Sequence, residues 1–167
     1  VAIGSWKECG FIITEARSHL MPLYAQTVGI AGLGRIGQEV VRKAQGFASD
    51  IIAWDPFVDD ITFQNLRVKR VDFDELLTRS DYISIHVPLS PLTHHLFGQK
   101  EFTKMKKTAF LINTSRGAVV NEKELQQALA EGALAGAALD VFDEEPIGKD
   151  HPLLQMENVF ITPHSGF

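Results

Sequence analysis

The chain has 167 residues, 45% of them hydrophobic and 22% charged, with a formal net charge of −5. That is enough chain for one domain with a packed core. The acidic balance argues against a nucleic-acid surface, which needs a basic stripe, and no apolar run approaches the roughly 20 residues that cross a bilayer. Cys9 is the single cysteine, so no internal disulfide is possible and a cytoplasmic setting fits. The opening residues lack the basic start and long apolar stretch of a signal peptide.

Residues 1–26 stand outside the pattern that follows. Trp6, Phe11, Ile12, Ile13 and Leu20 are too apolar for a free tail. They are expected to form an arm that packs on another subunit or domain, or that folds back on its own sheet. From residue 27 to 167 short apolar runs alternate with amphipathic segments. "TVGIAGL" reads as a buried strand running into glycines. "RIGQEVVRKAQG" follows as a helix, with Ile36, Val40, Val41 and Ala44 on one face and Gly46 as its stop. "DIIAWD" is a second strand and "LRVKRV" a weak third. "DFDELLTRS" is a short helix, with Asp72 as N-cap and Glu75 three residues later. "YISIHV" is a strand, "QKEFTKMK" a helix and "TAFLIN" a strand. "NEKELQQALAEG" is a helix capped by Asn121, with Glu124 reaching back and Gly132 ending it. "GAALDV" and "NVFIT" close the series. Apolar strands alternating with helices predict a parallel sheet covered on both faces, an α/β doubly wound sheet of the Rossmann type.

"GLGRIG" places Gly32, Gly34 and Gly37 at the spacing G-x-G-x-x-G, between a strand and a helix. Gly32 allows a tight turn out of the strand. Gly34, having no side chain, lets a pyrophosphate approach the backbone. Gly37 lets the helix pack close to the strand. The helix N-terminus, with Arg35 and Ile36 in its first turn, then faces the phosphates. Asp55 ends the second strand 21 residues beyond Gly34, where a carboxylate can hydrogen-bond the adenosine ribose. No Arg or Lys immediately follows Asp55, which favours NAD over NADP. The alternative for Asp55 is a turn residue before Pro56, and the glycine motif favours the ribose contact.

Open parallel sheets bind ligands at the carboxyl ends of their strands. At that edge lie the glycines, Asp55, Pro88 with the loop "LSPLTHH", Thr114 to Arg116, Asp140 and His164, with Glu145 close behind in "DEEP". Taken singly, each polar residue here is as readily a surface charge or turn former; it is their convergence on one crevice that points to a site. The chemistry they suit is carbonyl reduction by hydride. Arg116 can stabilise the charge that develops on the carbonyl oxygen and hold an adjacent carboxylate in its planar fork. His164 can donate the proton in reduction or accept it in oxidation. Glu145 can favour the imidazolium and fix its orientation.

These residues resemble the D-isomer-specific 2-hydroxyacid dehydrogenases, through "VGIAGLGRIG", "HVPLSPLTHHLFG", "MKKTAFLINTSRGAVVNEKEL", "GALAGAALDVFDEEP" and "NVFITPHSGF". The resemblance runs from about Thr27 to the C-terminus, and within these motifs nothing departs from the family pattern. It implies Arg116, Glu145 and His164 as the catalytic set, Asp140 as the contact to the nicotinamide amide, NAD as cofactor and a small 2-keto or 2-hydroxy acid as substrate. It also implies a second, substrate domain absent from this stretch, which would explain why the chain stops just past His164, and a homodimer contact involving the arm near Trp6. Corepressors of the C-terminal-binding-protein type share the same Arg/Glu/His set and use NAD(H) to control assembly. They are the alternative reading.

Overall fold

The computed structural model describes residues 22–47 and 50–166. The arm expected over residues 1–26 therefore lies outside the described residues as far as residue 21. Among the described residues there are seven strands: β1 (Thr27–Ala31), β2 (Asp50–Trp54), β3 (Lys69–Arg70), β4 (Tyr82–Ile85), β5 (Phe110–Asn113), β6 (Gly136–Leu139) and β7 (Val159–Ile161). They alternate with α1 (Arg35–Ala44), α2 (Asp60–Leu66), α3 (Phe73–Arg79), α4 (Gln99–Lys104) and α5 (Glu122–Ala130). Short 3-10 turns occupy Leu23–Ala25, Gly117–Val119 and Pro152–Gln155.

Every strand pairing is parallel, and the order across the sheet is β3-β2-β1-β4-β5-β6-β7. Strand order reverses between β1 and β4, the point where open α/β sheets form their ligand crevice. Alternation along the strands supplies both faces. Ala31, Ile52, Ile83, Ile85, Leu111 and Leu139 join one core with Leu76 and Leu77 of α3, Phe102 of α4 and Leu125 of α5. Ile30 and Ala53, their immediate neighbours, join a second core with Val41 of α1 and Phe63 of α2. The expected doubly wound Rossmann-type sheet is therefore the observed one. On the second face the row Ile30, Ser84, Ile112, Ala138, Phe160 runs in register. It starts fully buried at Ile30 and ends 68% exposed at Phe160.

Local details depart from the sequence reading in four places. Helix α2 was not anticipated; "DITFQNL" buries only Phe63 and Leu66 and leaves Ile61 exposed, so its seven residues carry too little periodicity to be read. The third strand shrinks to Lys69–Arg70 because Arg67, in the left-handed conformation, still belongs to the end of α2. Helix α1 buries Gly37, Val41 and Ala44, whereas Ile36 is exposed at the mouth of a cleft, and the helix ends at Ala44, capped by Gln45, before Gly46. The caps Asp72 and Asn121 accept the N–H groups expected of them. Their acidic partners serve elsewhere: Glu75 pairs with Lys69 at 2.8 Å and Arg79 at 2.5 Å, and Glu124 accepts the Gln99 N–H at 2.6 Å, tying α5 to α4.

Helix α3 lies hard against β1. A Cβ on Gly29 would stand 2.1 Å from Ser80 Oγ and 3.0 Å from Leu76 Cδ1. Overpacking of this kind costs about 1–3 kcal/mol, and neighbouring substitutions couple. Gly29→Ala is expected to lower the urea midpoint clearly in the native background and less in a Ser80→Ala background. A double-mutant cycle measures this, and strictly additive effects would contradict the packing described.

Candidate functional site

The glycine loop is shaped by contacts at the switch point. Gly32 has φ +97°, and a Cβ there would lie 2.8 Å from the His86 carbonyl carbon and the Val87 nitrogen. No other residue suits both the conformation and the approach. A Cβ on Gly37 would sit 2.1 Å from Gly32 O, so α1 packs directly on the turn. Gly34 has no atom within 4 Å of its missing Cβ, leaving bare backbone at the start of α1. The first turn of α1 contains no acid and begins with Arg35. Free N–H groups, a partial positive charge and an open backbone fit a diphosphate.

A cleft of about 630 Å³ opens from this loop. Gly34, Arg35, Ile36 and Pro88 line one side, and Thr114, Arg116 and His164 line the other. Asp55 lies in the adjoining groove with Trp54 and Arg70. Its carboxylate accepts the Leu33 N–H at 2.8 Å and the Phe57 N–H at 2.9 Å. It is therefore both the turn residue and the tie between β2 and the glycine loop, and a carboxylate with one bond on each oxygen keeps lone pairs for a ribose diol. A cation does approach Asp55 from far along the chain. Arg70 donates to the Asp55 carbonyl at 3.2 Å, but its guanidinium is also held by Asp60 at 2.5 Å and lies over the Phe63 ring.

The side with Thr114, Arg116 and His164, and the layer behind it, is built by three consecutive strand ends. At the end of β5, buried Asn113 accepts from Ser115 N at 3.0 Å and Ser115 Oγ at 2.9 Å, and donates to the Arg116 carbonyl at 3.0 Å. This fixes the turn from which Arg116 projects into the open cleft. Gly117 follows under the next loop: a Cβ there would lie 1.9 Å from the Phe142 carbonyl carbon. At the end of β6, Asp140 is buried and accepts from Thr162 Oγ1, from Ser165 N at 2.9 Å and from Gly166 N at 2.8 Å. Burial alone would push its carboxyl up. The Thr162, Ser165 and Gly166 donors and the neighbouring His164 outweigh that and hold it below the usual carboxylate range.

Beyond β7, His164 sits at φ +51°, a left-handed conformation uncommon for a side-chain-bearing residue. Such conformations persist where the surroundings over-determine them. Its Nδ1 lies 2.6 Å from Glu145 Oε2, while Glu145 Oε1 accepts the Phe142 N–H at 2.9 Å. The bond to His164, then the Phe142 N–H, hold Glu145 below the usual carboxylate range. Glu145 and Asp140 do not line the cleft. They stand behind His164, beside a second hollow of about 540 Å³ walled by Phe142, Ile147 and Ile161.

Three residues of this assembly escaped the sequence reading: Asn113, Gly117 and His86. Asn113 and His86 are polar groups at or just past the last turn of apolar parallel strands, a signal that was available. His86 lines the cleft with Nε2 2.9 Å from Ser84 Oγ. Burial lowers its pKa from 6.5 to about 4, so the ring is neutral near pH 7.

A dinucleotide-binding fold with an arginine and a carboxylate-backed histidine at its cleft defines a dehydrogenase cofactor domain. The family described as "D-isomer specific 2-hydroxyacid dehydrogenase, NAD binding domain" matches residues 3–166, and the chain belongs to it. NAD is its cofactor. The chain is 48% identical over 145 residues to D-3-phosphoglycerate dehydrogenase of Methanocaldococcus jannaschii, covering 86% of this chain and 28% of that protein. It is 48% identical over 143 residues to glyoxylate reductase of Korarchaeum cryptofilum, covering 86% of this chain and 43% of that protein. The NAD-complexed D-isomer specific 2-hydroxyacid dehydrogenase of Lactobacillus delbrueckii ssp. bulgaricus superposes with a TM-score of 0.81 at 33% identity, over 91% of this chain and 49% of that one. The chain thus spans less than half the length of these relatives. Their names support the dehydrogenase reading over the corepressor-type alternative.

His86, Asp140 and Glu145 set a pH dependence. His86 is held low, so between pH 6.5 and about 4 the unfolded chain binds more protons than the folded one, and stability falls as pH falls. The full window is worth up to about 3 kcal/mol. Asp140 and Glu145, also held low, contribute stability that is lost as pH drops further, through their folded-state values. Urea midpoints between pH 7 and pH 4 are expected to decline in the native chain and to decline less steeply in His86→Gln. Parallel curves for the two would contradict a buried neutral His86.

Proposed function

We propose that this domain serves an NAD-dependent enzyme that interconverts a small 2-keto acid and its D-2-hydroxy acid. The observation that carries the proposal is the placement of Arg116 and the Glu145-backed His164 at the far wall of the cleft that begins at the glycine loop. NAD(H) supplies or accepts the hydride when bound. Gly34, Arg35, Ile36 and the α1 N-terminus would hold its diphosphate, Asp55 the ribose, and Pro88 and Thr114 the inner part of the cleft. Arg116 would pair with the substrate carboxylate in a planar fork and stabilise the charge developing on the keto oxygen. His164 would pass a proton to that oxygen in reduction and take it back in oxidation. Glu145 would orient the ring through Nδ1, leaving Nε2 for the substrate. Asp140, with both oxygens engaged by the 162–166 loop, is assigned to holding His164 in place and reaching the cofactor through that loop.

Residues 27–167 would form the cofactor half, with a substrate domain elsewhere in the protein to close the cleft. The exposed end of that row at Phe160, and the exposed Phe110 stacked on Tyr82, suit coverage by the arm or by a second subunit of a homodimer. A cytoplasmic setting is proposed from the single cysteine of this stretch.

The protein that carries this domain is expected to consume NADH with one of glyoxylate, pyruvate, hydroxypyruvate or 3-phosphohydroxypyruvate. His164→Ala should lower kcat by about 100-fold or more with little change in NADH affinity, and Arg116→Ala should raise KM for the keto acid as well as lowering kcat. Turnover surviving His164→Ala would overturn the assignment.

A further inference from the structure

We propose that Glu122, in the first turn of α5, is a positioning residue that holds the loop carrying Glu145 and so keeps Glu145 on His164. The proposal rests on the reading of Glu145 and His164 given above. Glu122 has a largely buried side chain, and both of its oxygens are engaged. Oε1 accepts the Asp143 N–H at 2.6 Å, and Oε2 lies 3.3 Å from Nε2 of His151. The Nδ1 of His151 accepts the Leu153 N–H at 3.3 Å, so the neutral ring carries its proton on Nε2, facing the carboxylate. One carboxylate therefore ties down both ends of the segment from Asp143 to His151.

Between those ends the loop is held by the Glu145 side chain, through His164 and the Phe142 N–H, and by Ile147, which packs on the core. Among the described residues, no other protein group bonds a backbone N–H from residue 143 to 148. The two donors at its start diverge: the Phe142 N–H goes to Glu145, and the next, Asp143 N–H, goes to Glu122. The peptide joining them rests on Gly117, where a Cβ would come within 2.3 Å of Asp143 N. The Phe142 ring meets the His151 ring edge-on at 5.7 Å. The Phe142–Asp143 peptide is thus held by Glu122 and Gly117, while Glu145 takes the N–H of the peptide just before it. If Glu122 lets go, the Phe142 N–H and Glu145 lose their common reference, and the bond to His164 loosens with them. An acid that served only the α5 dipole would need neither contact.

The test compares Glu122→Ala with Glu122→Gln, which keeps an acceptor for Asp143 but not the charge. In the full chain, carboxyl-carbon NMR follows Glu145 and proton NMR follows the low-field Nδ1–H of His164. In Glu122→Ala the Glu145 titration midpoint is expected to rise toward 4.5 and the His164 proton to exchange faster. Removing a negative charge alone would move Glu145 the other way, so the direction separates positioning from electrostatics. Glu122→Gln keeps the acceptor and loses only the charge, so it is expected to leave the His164 proton slow and to move the Glu145 midpoint slightly down; a rise in that variant would overturn the positioning role even if the alanine variant folds poorly. In the enzyme that carries this domain, Glu122→Ala should lower kcat about tenfold with NADH affinity unchanged. An unmoved Glu145 midpoint and His164 proton in Glu122→Ala would overturn the positioning role. Loss of those signals with undiminished turnover would instead count against the catalytic reading of the pair.

Discussion

Where β1 pairs with β4, the glycine loop must pass within backbone contact of the His86–Val87 peptide. A Cβ on Gly32 would come 2.8 Å from that peptide, so the approach is possible only for glycine. This contact sits at the reversal of strand order. It opens a crevice between the loop after β1 and the loops after β4 and β5, and the cleft lining follows from it. The α1 N-terminus points into the crevice because Gly37 lets the helix sit on the turn. Asp55 secures the arrangement from the other side by accepting the Leu33 N–H.

The opposite wall is assembled by a relay of loops, each braced by the next. Asn113 shapes the turn that presents Arg116. Gly117 then supports the Phe142–Asp143 peptide, the loop from β6 carries Glu145, and Glu145 meets His164 beyond β7. Asp140 clamps the final loop by accepting from Thr162 Oγ1 and from the Ser165 and Gly166 N–H groups. Charged groups are thus bound to backbone N–H groups and to one another wherever they are withdrawn from water, which offsets the cost of burying them. Arg116 is left exposed in the cleft, and among the described residues its guanidinium hydrogen-bonds only the Ser115 carbonyl of its own turn.

Much of this was legible in the residues because the signals were local. Alternating apolar runs and helices identified the sheet, and the spacing of Gly32, Gly34 and Gly37 identified the cofactor turn. Arg116, Glu145 and His164 were readable because each follows closely on a strand end. What escaped depends on distance in three dimensions. Gly117 matters through a backbone 25 residues further on, which no spacing rule encodes. Arg70 approaches Asp55 only once β3 lies beside β2. Ile36 looked like a core residue by helical periodicity, but the close packing at Gly37 turns that edge of α1 to the cleft. Glu75 and Glu124 fit a capping pattern by sequence and are drawn instead to partners on other elements.

We propose that one cleft, from the glycine loop to Arg116 and His164, holds the dinucleotide. Amide chemical-shift mapping of the full chain titrated with NAD⁺ tests it most directly. Saturable shifts are expected at Gly34, Arg35, Ile36, Thr114 and Arg116, with smaller ones at Leu33 and Phe57, which are tied to Asp55. Saturable shifts confined to the hollow around Phe142 and Ile147, or none at all, would contradict it.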